Sequence, residues 1–202
     1  MARTRSRPWF DPRRWFRSSA SFVERITGRV RRRAVLARMK KGDIVLASPR
    51  LVRLSPIALA YRLLLGSRYV HSMLYVGSDR MIHTTTRHGV VMGRIPRKLF
   101  DRERYAIYRA PGLTDAEREK VVDHAVASLE RELDPVALAA NIPARWFRLR
   151  EPVARIEKNR VWCSKLIAEA YREGAGVEIV PRDAEGTVMT EDFANSPALQ
   201  RV

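Results

Sequence analysis

The sequence predicts an α+β domain in which a small antiparallel β-meander or barrel packs on helices, preceded by a basic N-terminal arm. Short runs of β-forming residues, separated by tight turns, follow one another between residues 44 and 108. Helical spacing of apolar residues dominates the region after residue 114. Arginine is concentrated in the first 41 residues, ahead of the first strand. These three observations indicate one folded domain with a charged appendage.

Five short strands are predicted in the first half of the domain. The turn at residues 41–43 opens it, and a turn over residues 77–80 joins two of the strands into a hairpin. The longest run alternates along its length and is rich in β-formers, which is typical of a strand with two different faces. The predicted strands cover residues 44–47, 69–76, 81–85, 89–95 and 105–108.

Helices are predicted from their start signals. Ser55 as N-cap and Pro56 at the first helical position begin a helix that reaches about residue 65. Thr114 begins the next helix, and Glu117 three residues later completes a capping box. An arm helix over residues 21–40 is predicted from apolar residues at helical spacing.

The last helix is predicted to run from Cys163 to about residue 173 and to end at Gly174. Residues 134–159 contain several prolines and should form a short helix and loops that cover the site. Residues 181–202 are expected to be a polar, irregular tail.

Charge divides the chain into two parts. The 202 residues carry a net charge of +17. Residues 1–41 contain 14 Lys or Arg and two acids, so they hold +12 of this charge and leave +5 for the rest. We therefore predict a basic arm over residues 1–41 and a folded domain over residues 42–202. Because like charges repel, we expect the arm not to pack as ordinary core.

The arm is expected to contact an anionic partner. Its arginines could neutralise the phosphates of nucleic acid, an anionic membrane or a cell wall, and its Trp-Phe pairs could stack on bases or lie at a membrane interface. The alternatives are a solubilising tail or an organellar transit peptide. A secretory leader and a membrane span are not expected, because the start is basic and the most apolar run, residues 54–65, is broken by Arg62. The predicted location is cytoplasmic or peripheral to a membrane or cell wall, or virion-associated.

Cys163 is the candidate nucleophile. It is the only cysteine, which excludes an internal disulfide and a Cys-rich zinc site. It lies at the predicted start of a helix, where free N–H groups and the helix dipole favour a thiolate. The alternative is a buried helix cysteine with a packing role.

Two of the four histidines are candidates for the base. His71 and His83 lie in predicted strands that are joined by the tight turn, so they should be close together and share a face. His71 would act on the cysteine, and His83 could orient it. The alternative is a pair of half-buried structural histidines. His88 and His124 are expected at the surface.

Several motifs resemble those of a known family. The pattern closely resembles the NlpC-type cysteine hydrolases, and within them the circularly permuted YiiX-like branch that is related to lecithin:retinol acyltransferase. In that branch the histidine strand precedes the cysteine helix, and here His71 precedes Cys163. The resemblance covers about residues 41–200. The motifs that carry it are Lys41-Gly42-Asp43-Ile44-Val45-Leu46, Gly66 to Gly77 around His71, Trp162-Cys163-Ser164, and the closing segment from Thr190 to Pro197.

The resemblance implies a permuted papain-like fold and a cysteine hydrolase. Cys163 would be the nucleophile, His71 the base and His83 the third polar residue, with the N–H of Cys163 in the oxyanion hole and no cofactor or metal. The first expected substrate is an amide or peptide such as a cell-wall peptide, and the second is an acylated lipid. Ile57, Leu59 and Leu63 would suit an acyl chain, and they would equally suit a hydrophobic core. A third interpretation is a non-catalytic virion or binding protein that acts through the arm.

Overall fold

In a computed structural model, the described residues are 27–48, 66–85, 87–96, 99–102, 104–134, 160–181 and 187–202, with isolated positions between 59 and 147. Their centre is a six-stranded antiparallel sheet in the order β4-β3-β2-β1-β5-β8. A separate parallel pair, β6-β7, joins Glu132–Leu133 to Arg160–Val161. The strands of the large sheet are β1 Ile44–Ser48, β2 His71–Gly77, β3 Arg80–Thr85, β4 Gly89–Arg94, β5 Arg104–Arg109 and β8 Gln200–Arg201.

Helices cover both faces of this sheet. The two longest pack against each other on one face, in contact with β2. The helices are α1 over residues 27–38, α2 Leu99–Arg102, α3 Asp115–Ala127, α4 Cys163–Ala175 and α5 Thr190–Ala194. The described part of the chain is therefore an α+β fold with an antiparallel sheet packed on helices, as the sequence predicts.

Strand β1 lies inside the sheet, and this position explains its continuous apolar sequence. Alternate residues of a strand point to opposite faces. Ile44 and Leu46 pack with α3 and α4, whereas Val45 and Ala47 pack in a second core with Met39, Leu99 and Phe100. All five β1 residues are buried, because both faces of the strand are covered.

The predicted strands are confirmed with ends that shift by up to two residues. The capping box of Thr114 and Glu117 is also confirmed. The predicted end of the last helix is wrong: α4 continues through Gly174 and ends at Gly176, which has a φ of 69°. Gly174 serves close packing instead, because a Cβ there would lie 2.6 Å from the carbonyl oxygen of Lys120 on α3.

The prediction of an irregular tail is also wrong. Residues 187–202 contain α5 and β8, and β8 pairs with β5 at the edge of the sheet. Val188, Met189 and Phe193 are buried in this segment, so the tail is part of the core. The helix predicted over residues 55–65 lies mostly outside the described residues, although residues 59, 62 and 63 are helical. Most of residues 134–159 also lies outside them.

A buried ion pair joins the start of the domain to its centre. Asp43 has no exposed surface, and its two carboxylate oxygens accept hydrogen bonds of 2.7 Å from Nε and Nη2 of Arg109. The backbone N–H of Lys40 donates a further bond of 2.8 Å to Asp43. Hydrogen bonding to Asp43 is the main reason that the pKa of Arg109 is raised above its ordinary value. The pair thus ties β1 to β5 and to the chain that enters β1.

Two further contacts extend this polar cluster to both long helices. Arg118 on α3 donates to the carbonyl oxygen of Ala110 at 3.0 Å, and its Nη1 lies 4.0 Å from Asp43. The hydroxyl of Tyr171 on α4 donates to the carbonyl oxygen of Gly42. Gly42 adopts a φ of 83°, a conformation that favours glycine, so the turn that opens the domain depends on it.

Helix α1 packs on the face of the sheet opposite α3 and α4, contrary to the expectation that the arm stays apart from the core. Val35 and Leu36 pack against the second core, and Met39 is buried within it. Arg32 pairs with Asp79 at 3.2 Å, next to the turn between β2 and β3. Burial of the apolar side of the helix therefore offsets the repulsion between its like charges. The boundary after residue 41 stays a prediction, since residues 1–26 lie outside the described part.

No helix among the residues that the structure describes is both long enough and apolar enough to cross a membrane.

Asp43→Asn should lower the free energy of unfolding by about 3–5 kcal/mol, because it leaves the guanidinium of Arg109 without its carboxylate partner. The measurement is chemical denaturation followed by circular dichroism. Asp79→Asn is the matched control: its pair with Arg32 is partly exposed, and exposed pairs contribute about 1 kcal/mol or less. Equal losses in the two variants would contradict a central role for Asp43.

Candidate active site

Cys163 is the first residue of α4. The preceding residue, Trp162, is the N-cap and is almost fully buried. Its indole Nε1–H donates a hydrogen bond of 2.7 Å to the carbonyl oxygen of Val188. An indole has no oxygen with which to accept bonds from the first-turn N–H groups, so Trp162 anchors the helix start without capping it. The cysteine is half-buried.

His71 is the first residue of β2 and pairs with Ala47 of β1. Its Nε2 lies 3.2 Å from Nδ1 of His83, the fourth residue of β3. The two rings are nearly perpendicular, with an interplanar angle of 83° and centroids 5.2 Å apart. Both side chains are half-buried. The predicted proximity of the two histidines is therefore present in the structure.

The sulfur of Cys163 contacts the start of β2. The thiol interacts with the side chain of His71 and with both the hydroxyl and the backbone of Ser72, and these interactions favour its ionised form. The pairing between β2 and β3 runs only from Leu74 to Gly77, so His71 and Ser72 lie beyond its end. This opening of the sheet leaves the N–H of Ser72 available to the thiol. The helix start and the strand start thus meet at one point.

The pKa of the Cys163 thiol is lowered from an ordinary value of 9.0 to about 6. Burial is the largest single influence and raises the pKa. It is outweighed by the hydrogen bond and charge of His71 together with the hydrogen bonds of Ser72, which stabilise the thiolate. At pH 7 about nine tenths of such a thiol is ionised, against a few per cent of a free cysteine. The site therefore favours a thiolate at neutral pH.

His83 is held neutral. Burial, followed by the charge of His71, lowers the pKa of His83 from 6.5 to about 4, although a hydrogen bond with the backbone of Thr84 acts in the opposite direction. A neutral His83 can accept at Nδ1 the proton of His71 Nε2–H. Since Nε2 is used in this way, Nδ1 of His71 is the nitrogen left for Cys163. The arrangement is therefore suited to proton exchange between His71 and the Cys163 thiol.

The structure brings together the three residues predicted for the site, Cys163, His71 and His83, while their catalytic roles stay predictions. His88 is exposed, and His124 is partly exposed in the last turn of α3. Tyr75 is buried in the second core, in agreement with a packing role.

Ser72 is the residue of the site that the sequence analysis missed. Its side chain is fully buried, and its hydroxyl also lies 3.4 Å from that of Ser164 on α4. Alternation puts Ser72 and His71 on opposite faces of a regular strand, which argues against a shared role. The signal that could have indicated it is a small hydroxyl residue next to the histidine in an otherwise apolar strand.

The apolar residues proposed for acyl-chain binding are only partly described. Leu59 and Leu63 are exposed, with relative exposures of 39% and 68%, whereas Ile57 lies outside the described residues. Arg62 donates to the hydroxyl of Ser48 at 3.4 Å. Because Ser48 follows the β1 partner of His71, the guanidinium of Arg62 lies at the same end of β1 as the site.

Alkylation of Cys163 by iodoacetamide should rise through pH about 6 and level off near pH 7, because the thiolate is the reactive form. The measurement is the rate of mass increase at each pH. A rate that keeps rising to pH 8.5, as for a free thiol, would contradict the arrangement.

The contribution of Ser72 to the thiol pKa is tested by the same measurement on the variant Ser72→Ala. Loss of a hydrogen bond to a charged group should move the midpoint of the profile from about 6 to about 7. Ser128→Ala is the matched control, because Ser128 is the buried C-cap of α3 and its hydroxyl donates to the carbonyl oxygen of His124.

The fold resembles that of a solved protein of the predicted branch. The crystal structure of metalloprotein yiiX from Escherichia coli O157:H7 aligns with a TM-score of 0.59 and 15% sequence identity, covering 81% of this chain and 96% of that one. No protein-family model matches the sequence, and no curated protein matches it. The likeness extends to the fold alone: this chain has a YiiX-like fold.

Proposed function

We propose that the protein is a cysteine hydrolase of the permuted papain-like type that works through an acyl-enzyme on Cys163. The observation that carries the proposal is that His71 lowers the pKa of the Cys163 thiol and itself lies 3.2 Å from His83. The order of the elements supports it, because the histidine strand precedes the cysteine helix. The YiiX-like fold is consistent with this interpretation.

In the first half of the reaction the Cys163 thiolate attacks the carbonyl carbon of the substrate. A tetrahedral intermediate forms, and its oxygen carries the negative charge. First-turn N–H groups of α4, including that of Cys163, are suited to stabilise this charge. The imidazolium of His71 then protonates the leaving nitrogen or oxygen. The carbonyl–heteroatom bond breaks, and a thioester remains on Cys163.

In the second half neutral His71 takes a proton from water. The resulting hydroxide attacks the thioester, the carbon–sulfur bond breaks, and the Cys163 thiolate and the His71 imidazolium are restored. His83 keeps its acceptor nitrogen directed at His71 throughout, because its low pKa keeps it neutral. An acceptor other than water would make the same enzyme an acyltransferase.

The first proposed substrate is an amide or peptide bond, such as that of a cell-wall peptide, because the motifs around His71 and Cys163 resemble those of NlpC-type hydrolases. The second is an acylated lipid. The exposed side chains of Leu59 and Leu63, which flank Arg62 in sequence, favour it as an alternative.

The yiiX structure is described as that of a metalloprotein. Within the described residues of this chain, no group of three or more His, Cys, Asp or Glu side chains is arranged to hold a metal ion. Nε2 of His71 and Nδ1 of His83 are directed at each other in a hydrogen bond, and not at a common third point. The residues that the structure describes therefore do not fit a metal centre, and the proposed reaction uses the thiol and the two histidines.

Incubation with cell-wall peptide fragments should add the mass of an acyl group to the wild-type protein, and hydroxylamine should remove it, because a thioester is the intermediate. The measurement is intact mass after rapid acid quenching. Cys163→Ala is the control that should show no adduct. An adduct with phospholipid and none with peptide would select the acyl-lipid alternative. Turnover of either substrate by Cys163→Ala would contradict the proposal.

The role of His83 predicts different rates for two substitutions. His83→Phe keeps a ring but removes the acceptor, so kcat/KM should fall on the order of 100-fold. His83→Asn puts a carbonyl oxygen at the position of Nδ1 and should stay within about tenfold of wild type. Both variants should keep the circular dichroism spectrum. Equal loss in the two would show that His83 acts only through packing.

A further inference from the structure

Helix α1 has two sides with different chemistry. One side faces the protein: Val35 and Leu36 pack on the second core, Met39 is buried, and Arg32 pairs with Asp79. These four positions lie within one stripe of a helix with 3.6 residues per turn. Packing of this stripe fixes which side of the helix remains at the surface.

The outward side has an apolar centre. Val30, Ala34 and Ala37 are spaced by four and three residues, so they lie in one row along the helix. All three are exposed, and Val30 has a relative exposure of 64%. A continuous row of exposed apolar side chains, on a helix that already buries its opposite side, offers a second contact surface.

Arginines lie on both sides of this row. Arg29 and Arg33 follow one edge, Arg31 and Arg38 follow the other, and all four are exposed. Residues 27–41 contain seven Arg or Lys and no acid, so this helix and the turn after it hold more than half of the arm's net charge.

The basic surface continues beyond the helix. Arg80 and Arg94 are register partners on β3 and β4, and both are exposed. Arg80 follows Asp79, the residue that pairs with Arg32, so Arg80 and its register partner Arg94 lie beside the middle of α1. Charge complementarity therefore calls for a broad anionic partner.

We propose that the outward side of α1 lies on an anionic lipid bilayer, with Val30, Ala34 and Ala37 toward the acyl chains and the arginines among the headgroups. An apolar row between two basic edges suits the interface of a bilayer, where long side chains reach outward to phosphates. Nucleic acid presents its phosphates to the middle of a contact as well as to its edges. An apolar row at the centre of the surface could not bind the phosphates there, so a bilayer is the favoured partner. This inference goes beyond the proposed hydrolase activity.

The test uses a fluorophore that brightens in an apolar environment. The full chain with Cys163→Ser and Val30→Cys has a single thiol, which is labelled with a nitrobenzoxadiazole group. The matched control carries Cys163→Ser and Val126→Cys, which labels an exposed valine on α3. Each protein is mixed with vesicles of phosphatidylcholine, vesicles that also contain phosphatidylglycerol, and duplex DNA.

Label at position 30 should brighten and shift to the blue with the anionic vesicles alone, while label at position 126 should not change. Arg31→Gln together with Arg38→Gln should weaken vesicle binding on the order of 25-fold, since each basic residue at an anionic surface contributes about a fivefold effect. Binding to vesicles without a change at position 30 would overturn the proposal and assign the contact to another part of the chain. Tighter binding to DNA than to vesicles would also overturn it.

Discussion

The buried pair of Asp43 and Arg109 is the constraint on which the remaining structure depends. A carboxylate with no contact to water is costly unless it is fully paired, and here two guanidinium bonds and a backbone N–H supply the partners. Once this pair is in place, β1 lies beside β5 and the turn at Gly42 faces α4. The short motif that opens the domain is thus a structural requirement, although it stands far from the thiol.

This constraint reaches the candidate site through α4. The hydroxyl of Tyr171 bonds to Gly42 near the middle of the helix, and Gly174 lets its last turn approach α3 closely. Trp162 fixes the first turn through Val188. The helix is therefore held at three positions along its length, and these contacts restrict the conformational freedom of its first residue. A nucleophile that must lie within hydrogen-bond reach of a histidine on a separate strand needs such support.

The sequence was sufficient to predict the elements of the site but not every contact. Alternation in β2 and the tight turn after it indicated that His71 and His83 are neighbours, and both features are local. Ser72 could not be predicted, because its contact with the sulfur depends on where pairing with β3 stops. The structure of residues 187–202 and the packing of α1 were missed for a related reason. Both segments are polar or charged in sequence, and only tertiary contacts reveal which few of their residues are buried.

The bond between Trp162 and Val188 has a consequence for synthesis. The two residues are 26 positions apart, and the cysteine lies between them. As the chain leaves the ribosome, the thiol emerges before the carbonyl group that fixes its helix. The residues of α5 and β8, which close the core and the edge of the sheet, emerge later still. The start of α4 therefore reaches its anchored position, in which His71 and Ser72 lower the pKa of the thiol, only after residue 188 has been made.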